Sequence, residues 1–190
     1  LETMITSRYP KHKLRFRNVA WEGDTVYEQW RDVNFGAWSV QLAWLQASVL
    51  IVQFGQMESL DGVAKLPEFI AAYGRLLDEF EKQTRQIVLV SPMPFSRTGR
   101  KLAPDLSKRN GDVIAYANAI RKLAADRQLP FTDLTFVHTG DHLTREDGIH
   151  LLPEAHAYID LIIAQCLNVA VSPGDIREGL REKIVEKNRL

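Results

Sequence analysis

The chain has 190 residues, with 24 Lys and Arg against 24 Asp and Glu and 45% apolar residues. Those values suit one globular domain with a real core, and a formal net charge of zero removes any global field that would favour nucleic acid or an anionic membrane. The one cysteine, Cys166, excludes an internal disulfide and a cysteine-built metal site, and no apolar run reaches the roughly 20 residues that cross a bilayer.

The chain opens Leu-Glu-Thr-Met-Ile-Thr-Ser-Arg-Tyr, with neither an initiator Met nor a signal peptide. Leu1, Met4 and Ile5 already have helical spacing, and residues 1–9 read as the end of an amphipathic helix stopped by Pro10. Lys13 to Trp21 alternates apolar and polar residues and reads as a strand, followed by a tight turn at Glu22-Gly23-Asp24-Thr25. Asn34 to Gln46 is expected to be helical, with Trp38, Leu42 and Leu45 on one face. Ser48 to Phe54, rich in β-branched residues, reads as a buried parallel strand ending in Gly55-Gln56-Met57-Glu58.

Leu66 to Arg85 carries the clearest helical stripe: Leu66, Phe69, Ile70, Tyr73, Leu76, Leu77 and Phe80. Gln86 to Val90 reads as another strand, ended by Ser91-Pro-Met-Pro94. The basic loop beyond it, with Arg97, Arg100, Lys101, Lys108 and Arg109, is either a solvated loop or a substrate-facing lid. A helix is expected over Asp112 to Arg127, with Val113, Ile114, Ala117, Ile120 and Leu123 inward, then a strand over Phe131 to Val137. The last predicted helices run from Pro153 to about Asn168 and onward from an Ser172-Pro173 cap. The end, Glu186-Lys-Asn-Arg-Leu190, is still helical in pattern and has no capping signal. Both ends together read as those of a piece cut from a longer chain.

Strands alternating with helices imply an α/β fold, a three-layer α/β/α sandwich around a parallel sheet of flavodoxin-like kind. In such sheets ligands lie beyond the C-terminal strand ends. The turns at Gly23 and Gly55, the loop at Pro92–Pro94 and the stretch Leu143 to Tyr158 would all reach that edge. Asp147 and His150 stand three residues apart in the last of these, with Gly148 between them and Pro153 suited to the first turn of the next helix. An imidazole beside a carboxylate is what a hydrolase needs to take a nucleophile's proton and stabilise the resulting imidazolium. The same pair also has a plainer reading, Asp147 as a turn cap and His150 as a surface residue. His138 and His142 have ligand-like spacing, but Thr139-Gly140 breaks the helix that would align them, and no metal is expected.

Three segments resemble the SGNH or GDSL hydrolase family. Asn18-Val-Ala-Trp-Glu-Gly-Asp-Thr25 resembles the family's Asn-x-Gly-x-x-Gly-x-Thr block, and the resemblance makes Gly23 an oxyanion N–H donor. Gly55-Gln-Met-Glu58 stands where the family has Gly-x-Asn-Asp, with Met57 in place of the oxyanion Asn. Asp147-Gly-Ile-His150 resembles the Asp-x-x-His block that supplies the acid and base of a catalytic triad. The frames near both ends also resemble GDSL-like proteins of planctomycete-type bacteria. The Gly-Asp-Ser block is absent: none of the chain's serines follows a strand in that frame.

The resemblance therefore implies an SGNH-like domain over residues 1–170, without the strand that carries the nucleophile, and a helical extension over 171–190. It implies a serine esterase acting on a short-chain or O-acetyl ester, on a small molecule or a carbohydrate, with no cofactor. The nucleophile would lie upstream, and the present chain alone would be inactive. The alternative is a non-catalytic module of the same fold that binds carbohydrate or a partner protein.

Overall fold

The computed structural model describes residues 1–29, 36–137, 143–169 and 179–188. In chain order the helices are α1 (Glu2–Arg8), α2 (Trp38–Leu45), α3 (Leu66–Glu81), α4 (Asn110–Asp126), α5 (Pro153–Cys166) and α6 (Leu180–Lys187). The strands are β1 (Val49–Gln53), β2 (Gln86–Val90) and β3 (Phe131–Thr132). Two compact units emerge. Ala20–Leu152 is the larger, and Leu1–Val19 with Pro153–Leu190 is the smaller.

In the larger unit the three strands are parallel in the order β1-β2-β3. Val49 pairs with Gln86 and Gln53 with Val90, and Leu89 and Val90 pair with Phe131 and Thr132. Four consecutive residues of β2, Ile87 to Val90, are buried. A strand buried on both faces is what a covered parallel sheet requires, and the result is an α/β fold with a parallel sheet flanked by helices.

The core grows from α3. Phe69, Tyr73, Leu76, Leu77 and Phe80 are buried along the predicted stripe. Phe69 meets Tyr116 of α4 with ring centroids 4.8 Å apart. The Tyr116 hydroxyl donates to the Gly62 carbonyl at 3.0 Å, tying α4 to the segment after β1. Tyr116→Phe leaves that carbonyl short of a partner, and an expected loss of about 1 kcal/mol is measurable by urea denaturation.

Several sequence expectations are corrected. Residues 13–21 form no strand among the described residues, because an alternating pattern becomes a strand only where a ladder is available to pair with it. β1 is parallel as expected but not buried. Only Val52 is buried, while Val49 and Ile51 are exposed. β1 is the edge of the described sheet, which is why its apolar residues reach solvent. α3 ends at Glu81 rather than Arg85, as the N–H groups of Gln83 and Thr84 both turn back to the Phe80 carbonyl. α4 buries Val113, Ala117 and Ile120 as expected, but Tyr116 and Ala124 take the remaining inward places and Ile114 faces solvent. β3 stops at Thr132 because Asp133 captures the Thr135 N–H at 2.9 Å and turns the chain.

In the smaller unit the N-terminal amine of Leu1 meets Asp160 at 2.5 Å, and Glu2 of α1 pairs with Lys187 of α6. Pro153 opens α5 as predicted. Asn34, where α2 was expected to start, and the Ser172-Pro173 cap lie outside the described residues. No described helix is long and apolar enough to cross a membrane.

Candidate functional site

Residues 143–152 form a small hairpin. Thr144 and Leu151 make an antiparallel bridge. The N–H groups of Leu152 and Arg145 donate to the Leu143 and His150 carbonyls at 2.9 and 2.7 Å. At its tip Asp147 folds the backbone onto its own side chain, with Oδ1 accepting the N–H groups of Ile149 at 2.8 Å and His150 at 2.9 Å. That local bonding is characteristic of Asp in turns. It leaves Oδ2 free to meet His150 Nδ1, which it does at 2.9 Å. The sequence spacing of three residues thus becomes a direct carboxylate–imidazole pair.

The loop after β2 props this tip from outside. Ser96 N–H donates to the Gly148 carbonyl at 2.9 Å, and the Gly99 N–H and Thr98 hydroxyl both donate to the Glu146 carbonyl, at 2.9 and 3.0 Å. Gly148 has φ +71°, and a Cβ there would collide with the Ser96 carbonyl oxygen. The basic loop therefore abuts the Asp147–His150 turn, with Arg97, Arg100 and Lys101 exposed.

The second ring nitrogen of His150 is also engaged. Nε2 stands 2.9 Å from Glu22 Oε1, so one imidazole bridges two carboxylates. The sequence reading missed Glu22, which lies 128 residues away from His150. Its only signal was membership of the tight turn that carries Gly23.

The charges respond as the geometry requires. The Ile149 and His150 N–H groups, with the imidazole added, hold Asp147 far below the usual carboxylate range. Asp147 first and Glu22 second hold His150 above the ordinary imidazole value. A base raised on folding contributes stability in full below its unfolded pKa of about 6.5, and that contribution disappears as pH rises through the folded value. Asp147 acts in the opposite sense: its contribution is present above about 3.9 and is lost as pH falls through its depressed value. His150 is half exposed, and its share should stay under about 1 kcal/mol. Urea midpoints should accordingly decline slightly on the alkaline side of the ordinary imidazole value, and that decline should vanish in His150→Ala.

The turn bearing Glu22 is closed by the Asp24 N–H donating to the Trp21 carbonyl at 3.2 Å. Gly23 has φ +90°, which a turn of this kind demands at that place. Among the described residues none accepts from the Gly23 N–H. Glu58 anchors the chain just beyond. Its buried carboxylate accepts the Val26 N–H through Oε1 and the Gly55 N–H through Oε2, each at 2.8 Å. Burial pushes its pKa up, partly opposed by those two N–H groups. In Glu58→Gln only one oxygen remains to accept, and one buried N–H is left unpaired. The expected loss is about 1–3 kcal/mol, read by urea denaturation.

Gly55 and Met57 line a cleft of about 220 Å³ with Asp24, Met93, Ile149 and Leu151. Ile149 and Leu151 flank His150 in the chain. Met57 is half exposed, and its side chain has no donor. The neighbouring Gln56 is not available in its place, because its amide Nε2 donates to the Met93 carbonyl at 2.9 Å. The Gly55 N–H is likewise committed to Glu58. Of the two glycines expected at an oxyanion site, Gly23 is the one whose N–H stays open among the described residues.

His138 and His142 lie outside the described residues, and His12 and His156 are exposed. Among the described residues no cluster of three His, Cys, Asp or Glu side chains is placed to hold a metal.

No family model and no curated protein matches this sequence. Solved structures do match. A gut microbial diltiazem-metabolizing enzyme aligns with a TM-score of 0.69 at 20% identity, over 87% of this chain and 42% of its own. The acetylxylan esterase Axe2 from Geobacillus stearothermophilus, as a catalytic mutant, aligns with a TM-score of 0.68 at 16% identity, over 93% of this chain and 81% of its own. An alpha/beta hydrolase enzyme from the metagenome of Lake Arreo, Spain, aligns with a TM-score of 0.66 at 17% identity, over 90% and 80%. The chain thus spans less than half of the first of these and about four-fifths of the other two. The likeness shows a shared fold, an α/β fold with a parallel sheet flanked by helices.

Proposed function

We propose that this chain is the acid–base portion of an SGNH-type serine esterase. The observation that carries the reading is the 2.9 Å contact of His150 Nδ1 with Asp147 Oδ2, beside a cleft lined by the residues on either side of His150. A Ser hydroxyl attacks the ester carbonyl, and His150 Nε2 takes its proton. His150 then gives that proton to the leaving alkoxide, and a water molecule hydrolyses the acyl-enzyme by the same route. Asp147 fixes the tautomer and stabilises the imidazolium. The Gly23 N–H, with the N–H of the nucleophile itself, holds the oxyanion. The reaction calls for no metal or organic cofactor.

The nucleophile belongs on a strand N-terminal to Leu1. Both ring nitrogens of His150 are taken by carboxylates, and the outer edge of β1 has no partner among the described residues. A short-chain or O-acetyl ester, on a small molecule or a carbohydrate, suits the small cleft. A fluorophosphonate probe tests the assignment in a protein extended upstream. Covalent labelling of one Ser before Leu1, suppressed in His150→Ala, is the expected result. Labelling of a Ser within residues 1–190, or none at all, would sink it.

Met57 favours a second reading, a non-catalytic module of this fold that binds carbohydrate or a protein. One missing oxyanion donor costs about 3–4 kcal/mol of transition-state stabilisation, and neither Gln56 nor the Gly55 N–H is free to replace it. Sugar binding that survives His150→Ala, in a protein that hydrolyses no ester, would select this reading.

A further inference from the structure

The imidazole of His150 is held from both sides, and the hydrolase reading uses only one of them. Nδ1 meets Asp147 Oδ2 and Nε2 meets Glu22 Oε1, each at 2.9 Å. Two carboxylates can both accept from one ring only if both nitrogens carry protons. The bridge therefore selects the imidazolium, the form that cannot act as a base. It also fills the position from which Nε2 would take a proton.

We infer that Glu22 is a positioning residue of the acid–base site: it clamps His150 in its working orientation and yields Nε2 when the reacting hydroxyl arrives. The inference rests on the esterase reading for what displaces Glu22, but the clamp itself is a property of this chain. Three features support it. Glu22 is 85% exposed, and among the described residues only the imidazole holds its carboxylate, so withdrawal into water is easy. Asp147 by contrast is held by two backbone N–H groups and stays when Glu22 leaves. Glu22 also neighbours Gly23 in one turn, so the segment that presents the open N–H is the one the clamp steadies. The charged groups on the elements that meet here are Asp147 and Glu22 in contact with the ring, Arg145 and Glu146 in the same hairpin, Asp24 in the turn of Glu22, and Arg97, Arg100 and Lys101 on the loop that abuts the tip.

The protons balance simply. On release, the Nε2 proton passes to water or leaves with Glu22, and neutral His150 keeps its Nδ1 proton on Asp147. The freed Nε2 lone pair then accepts the proton of the incoming hydroxyl. Above the pH at which the ring deprotonates, the Glu22 contact loses its donor and the clamp opens unaided.

The test uses this chain as it stands. Nuclear magnetic resonance titration of the His150 ring is compared between the wild type, Glu22→Gln and Glu22→Ala, alongside its carbethoxylation rate, which reports neutral and accessible imidazole. In both variants His150 should titrate at lower pH and react severalfold faster at neutral pH. Identical His150 titration and reactivity in all three proteins would overturn the clamp. In an actively hydrolysing longer protein, Glu22→Gln should move the rising limb of kcat/KM to lower pH, and an unmoved limb would overturn the positioning role. A shifted titration in a protein that hydrolyses no ester would uphold the clamp and count against the esterase reading instead.

Discussion

Asp147→Asn should lower ester hydrolysis by about ten-thousandfold, the scale on which an imidazole held in the wrong tautomer disables a triad. The substitution separates chemistry from folding. Asn keeps an Oδ1 that can accept the Ile149 and His150 N–H groups, so the turn should persist. It loses the negative charge beside Nδ1 and places an amide where Oδ2 accepted. The measurement is kcat/KM on an acetyl ester in a protein that carries the nucleophile, with urea denaturation alongside. A stability change within about 1–2 kcal/mol and a rate loss of that order are expected together. A rate loss below tenfold would remove Asp147 from the reaction and leave it as a turn cap.

The second large effect falls on Gly148. Gly148→Ala should destabilise the larger unit by roughly 3 kcal/mol, through a left-handed backbone that costs an L-residue about 1–3 kcal/mol and a direct collision. The new methyl would strike the Ser96 carbonyl oxygen and lie 3.1 Å from that carbonyl's carbon. Both belong to backbone, and the Ser96 N–H to Gly148 carbonyl bond on the same contact would have to give as well. Relief requires the loop after β2 to move away from the Asp147–His150 tip. The rate should therefore fall with the stability. Gly23→Ala provides the contrast. It also has a positive φ, but nothing lies within 4 Å of its Cβ position, so only the conformational cost of about 1–2 kcal/mol applies. Urea denaturation of the two variants side by side should rank Gly148→Ala well below Gly23→Ala.

Those elements whose pattern matches their surroundings were legible in the sequence. The stripe of Phe69, Tyr73, Leu77 and Phe80 identifies α3 because burial follows helical period there, and Ile87 to Val90 identifies β2 because it is covered on both faces. The strand expected over residues 13–21 and the burial expected for β1 failed for one shared reason. Strand signals describe a pleat that needs neighbours, and neighbours are not written in the segment itself. Val49 and Ile51 have a buried strand's composition on what is here a sheet edge.

At the site, Asp147 and His150 were legible because their pairing is local. Glu22 was not, since a contact across 128 residues leaves no mark on either segment. Nor could the sequence say that Gln56 and the Gly55 N–H are already committed, because their partners, the Met93 carbonyl and Glu58, are fixed only by the folded turn after β1.

The esterase assignment makes His150, oriented by Asp147, the general base of the reaction. Acetate release from acetyl esters by a protein extended upstream of Leu1, compared with its His150→Ala variant, tests it most directly. Hydrolysis by the extended protein and a loss of at least about a thousandfold in the variant are expected, with the fold intact by circular dichroism. Equal rates in the two proteins, or no hydrolysis by a well-folded parent, would contradict it and leave the Asp147–His150 turn as part of a binding module.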